Sequence, residues 1–249
     1  MDKRTVLITG GSRGIGAMTA RFAARQGYDV CLSYRERADA AEAVCREVEE
    51  AGRKALAVQA DMAVEADIVR LWEEAIGKFA SIDMLVNNAG VLERQAPLID
   101  FDAARLERVF RVNVIGAMLC AREAVRHMSK SSGGRGGVIV NVSSIAARLG
   151  SPGEYVDYAA SKGAIDTLTI GLAKEVAAEG IRVVGVRPGS IYTEIHASGG
   201  EPDRVDRVAK RTPLQRGGQP EEIAKAILWL ASEEAAFVTG TLLDVTGGL

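Results

Sequence analysis

Seven short, almost wholly apolar runs recur along this chain, at residues 5–10, 28–34, 54–61, 82–90, 137–144, 181–189 and 241–248. A strand with one wet face alternates apolar and polar residues, so a run apolar throughout has to be covered on both faces. Between the runs lie longer stretches with helical composition: from Ile15, from the second run to about Ala51, over VEADIVRLWEEAIGKF, from about Phe101 to Ser129, over 157–179, and from Pro220 through PEEIAKAILWLA. Proline suits the first position of that last helix, where its missing N–H is not needed. Strands alternating with helices predict a parallel seven-stranded sheet, doubly wound, with helices on both faces.

The chain has 249 residues, which suits one large domain or two small ones. No linker, repeat or low-complexity segment divides it, and SSGGRGG at 131–137 reads as a flexible turn. We therefore expect a single α/β domain over 1–249. A composition of 47% hydrophobic and 26% charged residues supports a sizeable core. The net charge of −2 provides no basic field for nucleic acid or an anionic membrane. Cys31, Cys45 and Cys120 are scattered, in neither CxxC nor metal-ligand spacing, and read as small hydrophobes rather than metal ligands. The apolar start is too short for a signal peptide, and no run reaches the ~20 residues of a membrane span. A cytoplasmic protein is the expectation.

TGGSRGIG at residues 9–16 falls between the first strand and the first helix. There, outward-pointing N–H groups and the helix dipole favour an anion, and glycine lets the backbone approach a pyrophosphate closely. Gly10, Gly14 and Gly16 follow GxxxGxG spacing, which on its own fits a purely structural turn equally well. The second strand adds information. It ends Ser33-Tyr34-Arg35, with no acid until Glu36, where NAD-binding chains place a carboxylate on the ribose hydroxyl. A carboxylate repels a 2′-phosphate and an arginine fork pairs with it, so NADP(H) is favoured over NAD(H), with Arg13 as a second cation. A solvated surface charge is the competing reading of Arg35.

Further on, YAASK places Tyr158 and Lys162 four residues apart, on one side of a helix start. A phenol keeps its proton to pH ~10, and a nearby ammonium is expected to lower that value. The pair would then pass a proton to or from a carbonyl or alcohol oxygen. Tyr155 lacks such a partner, since Ala159 stands four residues on.

TGGSRGIG, NNAG (87–90), Asn113 in RVNV, NVSS (141–144), YAASK (158–162) and RPG (187–189) occur in one order. With them the chain resembles a short-chain dehydrogenase/reductase over essentially its whole length. That resemblance implies a single-domain Rossmann fold and a hydride transfer between NADP(H) and a carbonyl or alcohol. It makes Tyr158 the general acid in reduction and base in oxidation. Lys162 lowers the tyrosine's pKa and binds the nicotinamide ribose, Ser144 bonds the substrate oxygen, and Asn113 holds a water of the proton relay. The glycine turn takes the pyrophosphate, with Ser12, Ile15, Tyr34 and Met62 among the cofactor's neighbours. Asp61 meets the adenine edge, and Asn88, Ala89 and Gly90 line the adenosine ribose. Pro188, Gly189, Ile191 and Thr193 shape the nicotinamide site. No metal is implied.

Other readings stand beside these. Ser143 is an alternative to Ser144, since neighbours on a strand face opposite ways. The interval from Ser144 to Tyr158 is one residue longer than is usual in the family, which predicts a reshaped loop. Asn113 would serve equally as a polar residue bonded within its helix, and Asp61 as a turn residue. His127 is expected on a solvated helix end and His196 on the surface, with a substrate contact in the 190–212 segment as the alternative for His196.

Substrate choice is expected in three segments: 92–100, 148–155 and a lid at 190–212. Glu93, Arg94, Arg148, Glu154, Glu194, Glu201 and Asp203 give them polar walls, which favours a small polar keto compound or sugar. Tyr155 would line the same pocket. A 3-oxoacyl-[acyl-carrier-protein] reductase is the alternative. An acidic carrier calls for a basic docking patch, of which Arg135 is one charge and Glu179 the opposite. A non-catalytic NADP-binding protein is the alternative of another class, disfavoured because both Tyr158 and Lys162 are kept. The resemblance also implies a homotetramer, built through the helices near 101–129 and 157–179 and the last strand; the alanine-rich faces of AREAV and AASKGAID fit close packing between helices there and equally an intramolecular core.

Overall fold

The computed structural model describes residues 4–249; the first three residues of the expected 1–249 domain lie outside the described residues. In chain order the main elements are β1 (Arg4–Ile8), α1 (Gly14–Arg25), β2 (Tyr28–Tyr34), α2 (Ala38–Glu50), β3 (Ala55–Gln59), α3 (Glu65–Phe79) and β4 (Met84–Asn87). Then come α4 (Ala103–Phe110), α5 (Ala117–Met128), β5 (Gly137–Val142), α6 (Ala146–Leu149), α7 (Val156–Val176) and β6 (Ile181–Pro188). The chain closes with α8 (Ile195–Ser198), α9 (Arg204–Ala209), α10 (Pro220–Ala231) and β7 (Leu242–Val245).

The strands form one sheet in the order β3-β2-β1-β4-β5-β6-β7, and every pairing is parallel. This is the doubly wound sheet that the apolar runs predict. Its order reverses between β1 and β4, the position at which such sheets open a ligand crevice beyond their carboxyl ends. The central strands are buried on both faces. Val6, Ile8, Val30, Val140 and Val184 pack under α1, α2 and α10. Leu7, Cys31, Leu85, Ile139 and Val183 pack on the other side against α3, α5 and α7.

Several strands stop earlier than their apolar runs do, because the last residues leave the ladder to build the crevice. β1 ends at Ile8, β4 at Asn87, β5 at Val142 and β7 at Val245. The expected continuous helix over 101–129 is instead two helices joined through a π-helical turn at Arg111–Gly116, which holds Asn113. Such wide turns interrupt the i→i−4 ladder and often mark functional positions. The helix expected over 157–179 ends as α7 at Val176 and finishes in a tighter 3₁₀ turn.

His127 is not on a solvated end. Its Nε2 accepts the Ile82 N–H at 3.1 Å, and burial lowers its pKa. The AREAV alanines Ala121 and Ala124 are fully engaged in the core of this same chain, not in a face between copies.

Candidate active site

The carboxyl ends of β1 and β4 are locked together before any ligand is considered. Thr9 Oγ1 accepts the N–H groups of Asn88 and Ala89, each at 3.0 Å. Asn88 Nδ2 donates back to the carbonyls of Thr9 (2.9 Å) and Gly10 (3.0 Å). NNAG therefore holds the glycine turn in place as well as lining the crevice. Gly14 opens α1 with φ 55°, a left-handed conformation that glycine adopts at little cost. Gly16 is required for a different reason. A Cβ there would lie 2.5 Å from the Gly10 carbonyl oxygen and 2.6 Å from Asn88 Nδ2. It allows the close packing of the helix start on the glycine turn.

The crevice is a cavity of about 690 Å³ running from the glycine turn past the ends of β2, β4 and β5 to α7. Gly10, Ser12, Arg13, Gly14 and Ile15 line its start. Tyr34, Arg35, Asp61 and Met62 line one side, Asn88, Ala89 and Gly90 the floor, and Pro188, Gly189, Ile191 and Thr193 the opposite wall. A glycine cradle at a helix N-terminus, continuous with this slot, fits a dinucleotide. Asp61 also closes its own turn, accepting the Ala63 N–H at 2.8 Å.

The arginines at the start of the cavity are already paired: Arg35 with Glu36, and Arg13 with Glu194 across to the 190–212 segment at 3.1 Å. A phosphate would have to replace those carboxylates. Arg37 lines the same end and pairs with Asp39 at 3.0 Å.

At the far end Ser144, Tyr158 and Lys162 come together. The two serines separate as strand alternation requires. Ser143 is buried and its Oγ donates to Asp166 Oδ1 at 2.6 Å, whereas Ser144 borders the cavity with Tyr158 and its hydroxyl acts to lower the Tyr158 pKa. Lys162 lies on α7 with its Nζ 5.5 Å from the Tyr158 ring centroid, donating to the Val142 carbonyl at 2.8 Å. Burial lowers its pKa to about 8 against the opposing charge of Asp166. The expected lowering of the tyrosine pKa does not occur. Burial is the largest influence on Tyr158 and pushes it up to about 12, opposed by Ser144 and Arg204.

Asn113 does not border the cavity. Its Oδ1 accepts the Val91 N–H at 2.8 Å, and its Nδ2 donates to the Val91 carbonyl (3.0 Å) and Ser161 Oγ (3.1 Å). Its side chain ties the π-helical turn to β4's extension and to α7.

A buried ion pair fixes the start of α7. Arg105 grips Asp157 through Nε (2.7 Å) and Nη2 (3.2 Å), while Asp157 Oδ1 accepts the Tyr158 N–H at 2.9 Å. The longer interval between Ser144 and Tyr158 is accommodated by α6 and a tight loop with left-handed Gly150, Ser151 and Gly153. Tyr155 is buried and lines the pocket as expected, with its hydroxyl donating to the Gly199 carbonyl at 3.3 Å. His196 is not a surface residue. It lines the cavity, one ring nitrogen meets the Ile191 carbonyl at 3.0 Å, and burial lowers its pKa.

Comparison with known proteins gives a consistent result. The family described as enoyl-(acyl carrier protein) reductase matches residues 10–249. The chain is 55% identical to the uncharacterized oxidoreductase YgfF of Escherichia coli K12, covering 97% of this chain and 98% of that protein. It is similar in structure to a short chain dehydrogenase from Burkholderia cenocepacia J2315 in complex with NADP. There the TM-score is 0.90 at 33% identity, covering 99% of this chain and 97% of the other. It is similar also to 3-ketoacyl-(acyl-carrier-protein) reductase from Brucella melitensis complexed with NADH, with TM-score 0.89 at 34% identity, covering 98% and 97%. Fold, motif order and sequence relationship together place this chain in the short-chain dehydrogenase/reductase family of oxidoreductases.

Proposed function

We propose that this oxidoreductase reduces a small carbonyl compound with NADPH, or runs the reverse oxidation, through Ser144, Tyr158 and Lys162. The observation that carries the reading is the meeting of these three side chains at one end of a cavity whose other end is the glycine turn. The bound nicotinamide would supply or accept the hydride. Tyr158, held as a neutral phenol at neutral pH, is loaded to give its proton to the carbonyl oxygen as negative charge grows there. The Ser144 hydroxyl donates a second hydrogen bond to that oxygen. Lys162, with its pKa near 8, can hold or release a proton at Nζ beside the tyrosine ring. Asn113 acts through its backbone, since its side chain is engaged elsewhere.

The NADP(H) preference rests on Arg13 and Arg35 at the cavity mouth, joined by Arg37. One solved relative carries NADP and another NADH, so the family likeness does not choose between them. Titration of NADPH and NADH tests it. Wild-type protein should bind NADPH more tightly, and Arg35→Ala should lose ~10-fold or more for NADPH alone, the range of one charge-assisted contact. Equal binding of both cofactors by the wild type would reject the preference and leave the hydride chemistry standing.

The 190–212 segment, with α8 and α9, forms the substrate lid over a single domain, and the substrate is a small keto compound or sugar. The carrier-linked alternative is weakened by its docking charges: Arg135 is paired with Asp83 at 3.2 Å, and Glu179 stands where a cation is wanted. We further propose a cytoplasmic homotetramer joined along α5 and α7. Exposed Met118 and Ile170, and Ile115 beside them, support that face. Light scattering should give a tetramer of the 26.4 kDa chain. No helix among the described residues is long and apolar enough to cross a membrane.

A further inference from the structure

The walls around Tyr158 carry many charges, and most of them neutralise one another. Glu93 meets Arg108 at 2.6 Å, Arg148 meets Asp244 at 2.6 Å, and Glu194 meets Arg13 at 3.1 Å. Glu154 and Glu201 both hold Arg207, at 2.8 and 2.5 Å.

Arg204, at the start of α9, is different. It lines the cavity with its side chain only 14% exposed, and its guanidinium carbon lies 4.9 Å from the Tyr155 ring centroid. Glu154 and Glu201 approach it at Nη1, at 2.5 and 3.4 Å. Among the described residues, no acceptor takes a hydrogen bond from its Nε or Nη2. Those two groups form the parallel N–H pair that matches a carboxylate. Both glutamates are shared with Arg207, which makes the aligned contacts to them. The two arginines and two glutamates balance in charge, so what sets Arg204 apart is its unengaged Nε–Nη2 edge in the cavity wall. Its positive charge also acts to lower the pKa of Tyr158, Tyr155 and His196. Leu92, Val112, Tyr155 and Val208 give the same cavity an apolar wall.

We propose that Arg204 is a specificity residue that binds a carboxylate of the substrate, so that the preferred substrates are oxo acids and hydroxy acids with an apolar spacer. The carbonyl or hydroxyl would face Ser144 and Tyr158, the spacer would lie on the apolar wall, and the carboxylate would take the Nε–Nη2 edge. This inference rests on the oxidoreductase reading above and narrows its substrate class from polar keto compounds in general to acidic ones.

The test uses matched acid and amide pairs: 5-oxohexanoate with 5-oxohexanamide, and 4-oxocyclohexanecarboxylate with its carboxamide. Wild-type kcat/KM should favour the acid by ~10-fold or more in at least one pair, the range of a charge-assisted contact. Arg204→Gln should bring the acid-to-amide ratio of kcat/KM to about 1, because only the acid makes the contact that is removed. Arg204→Lys should keep part of the preference, since it retains charge but not the fork. Calorimetry with unreactive cyclohexanecarboxylate and cyclohexanecarboxamide reads the same preference without turnover. No reduction of any carbonyl would reject the oxidoreductase reading, and the calorimetric pair would still decide the role of Arg204. Equal handling of acid and amide, or a preference that survives Arg204→Gln, would overturn the proposal.

Discussion

Replacing Lys162 by methionine should stabilise the protein at neutral pH while removing its hydride-transfer activity. Lys162 is 4% exposed, and burial brings its pKa from 10.5 to about 8. At about 1.4 kcal/mol per pKa unit, that gap means that holding the ammonium in the folded state costs ~3 kcal/mol where both states are protonated. Methionine has similar bulk and no charge, but it leaves the Val142 carbonyl without its donor at 2.8 Å, which returns ~1 kcal/mol. The net gain is ~2 kcal/mol, or about 4–8 °C in Tm for a chain of this size. The sign of the pH dependence follows from the same shift. Between pH 8 and 10.5 the unfolded chain binds the proton that the folded chain has lost, so wild-type stability rises with pH through this window. Below pH 8 that contribution is gone, and above 10.5 it is complete. The variant has no such group, so its advantage should be largest near neutral pH and shrink towards pH 10.5. Tyr158, with its pKa pushed up to about 12, keeps its proton in the folded state across this window. Denaturant unfolding of both proteins, without added cofactor, at about pH 7 and at two higher values measures the gap. A variant less stable than wild type at neutral pH, with a gap that does not change with pH, would refute the argument.

Three further outcomes are expected. Arg105→Met should cost ~3–5 kcal/mol, because it strands the buried Asp157 carboxylate, and adding Asp157→Leu should recover most of that loss in denaturant unfolding. Tyr158→Phe should lower kcat by ~10²–10⁴-fold, with cofactor affinity by fluorescence titration unchanged, since only the transferred proton is lost. Gly16→Ala should lower Tm and weaken cofactor binding together, because its Cβ would meet the Gly10 carbonyl at 2.5 Å; either effect without the other would contradict the shared origin.

The sites that the sequence reading located best are those where a motif sits at a strand end. Gly10, Asn88, Ser144 and Pro188 end four different strand runs, and a parallel sheet brings such ends to one edge whatever the details. A motif records that a residue is needed without saying whether it touches the ligand or holds the residue that does: the Asn113 side chain is spent on Val91 and Ser161, and Gly16 makes room for the Gly10 carbonyl.

The chain alone determined the seven-stranded doubly wound sheet, the glycine turn and the Tyr158–Lys162 pair, because apolar periodicity and short-range spacing are local properties of a polymer. Tertiary structure alone decided three other things. It showed that Tyr158 is pushed up in pKa rather than down, since burial is a sum over all surrounding atoms. It showed which charges of the substrate walls cancel, since Glu154 and Arg204 lie fifty residues apart in the chain and 2.5 Å apart in space. It also brought Arg204, a residue in no motif, into the cavity wall with two nitrogens that make no hydrogen bond among the described residues.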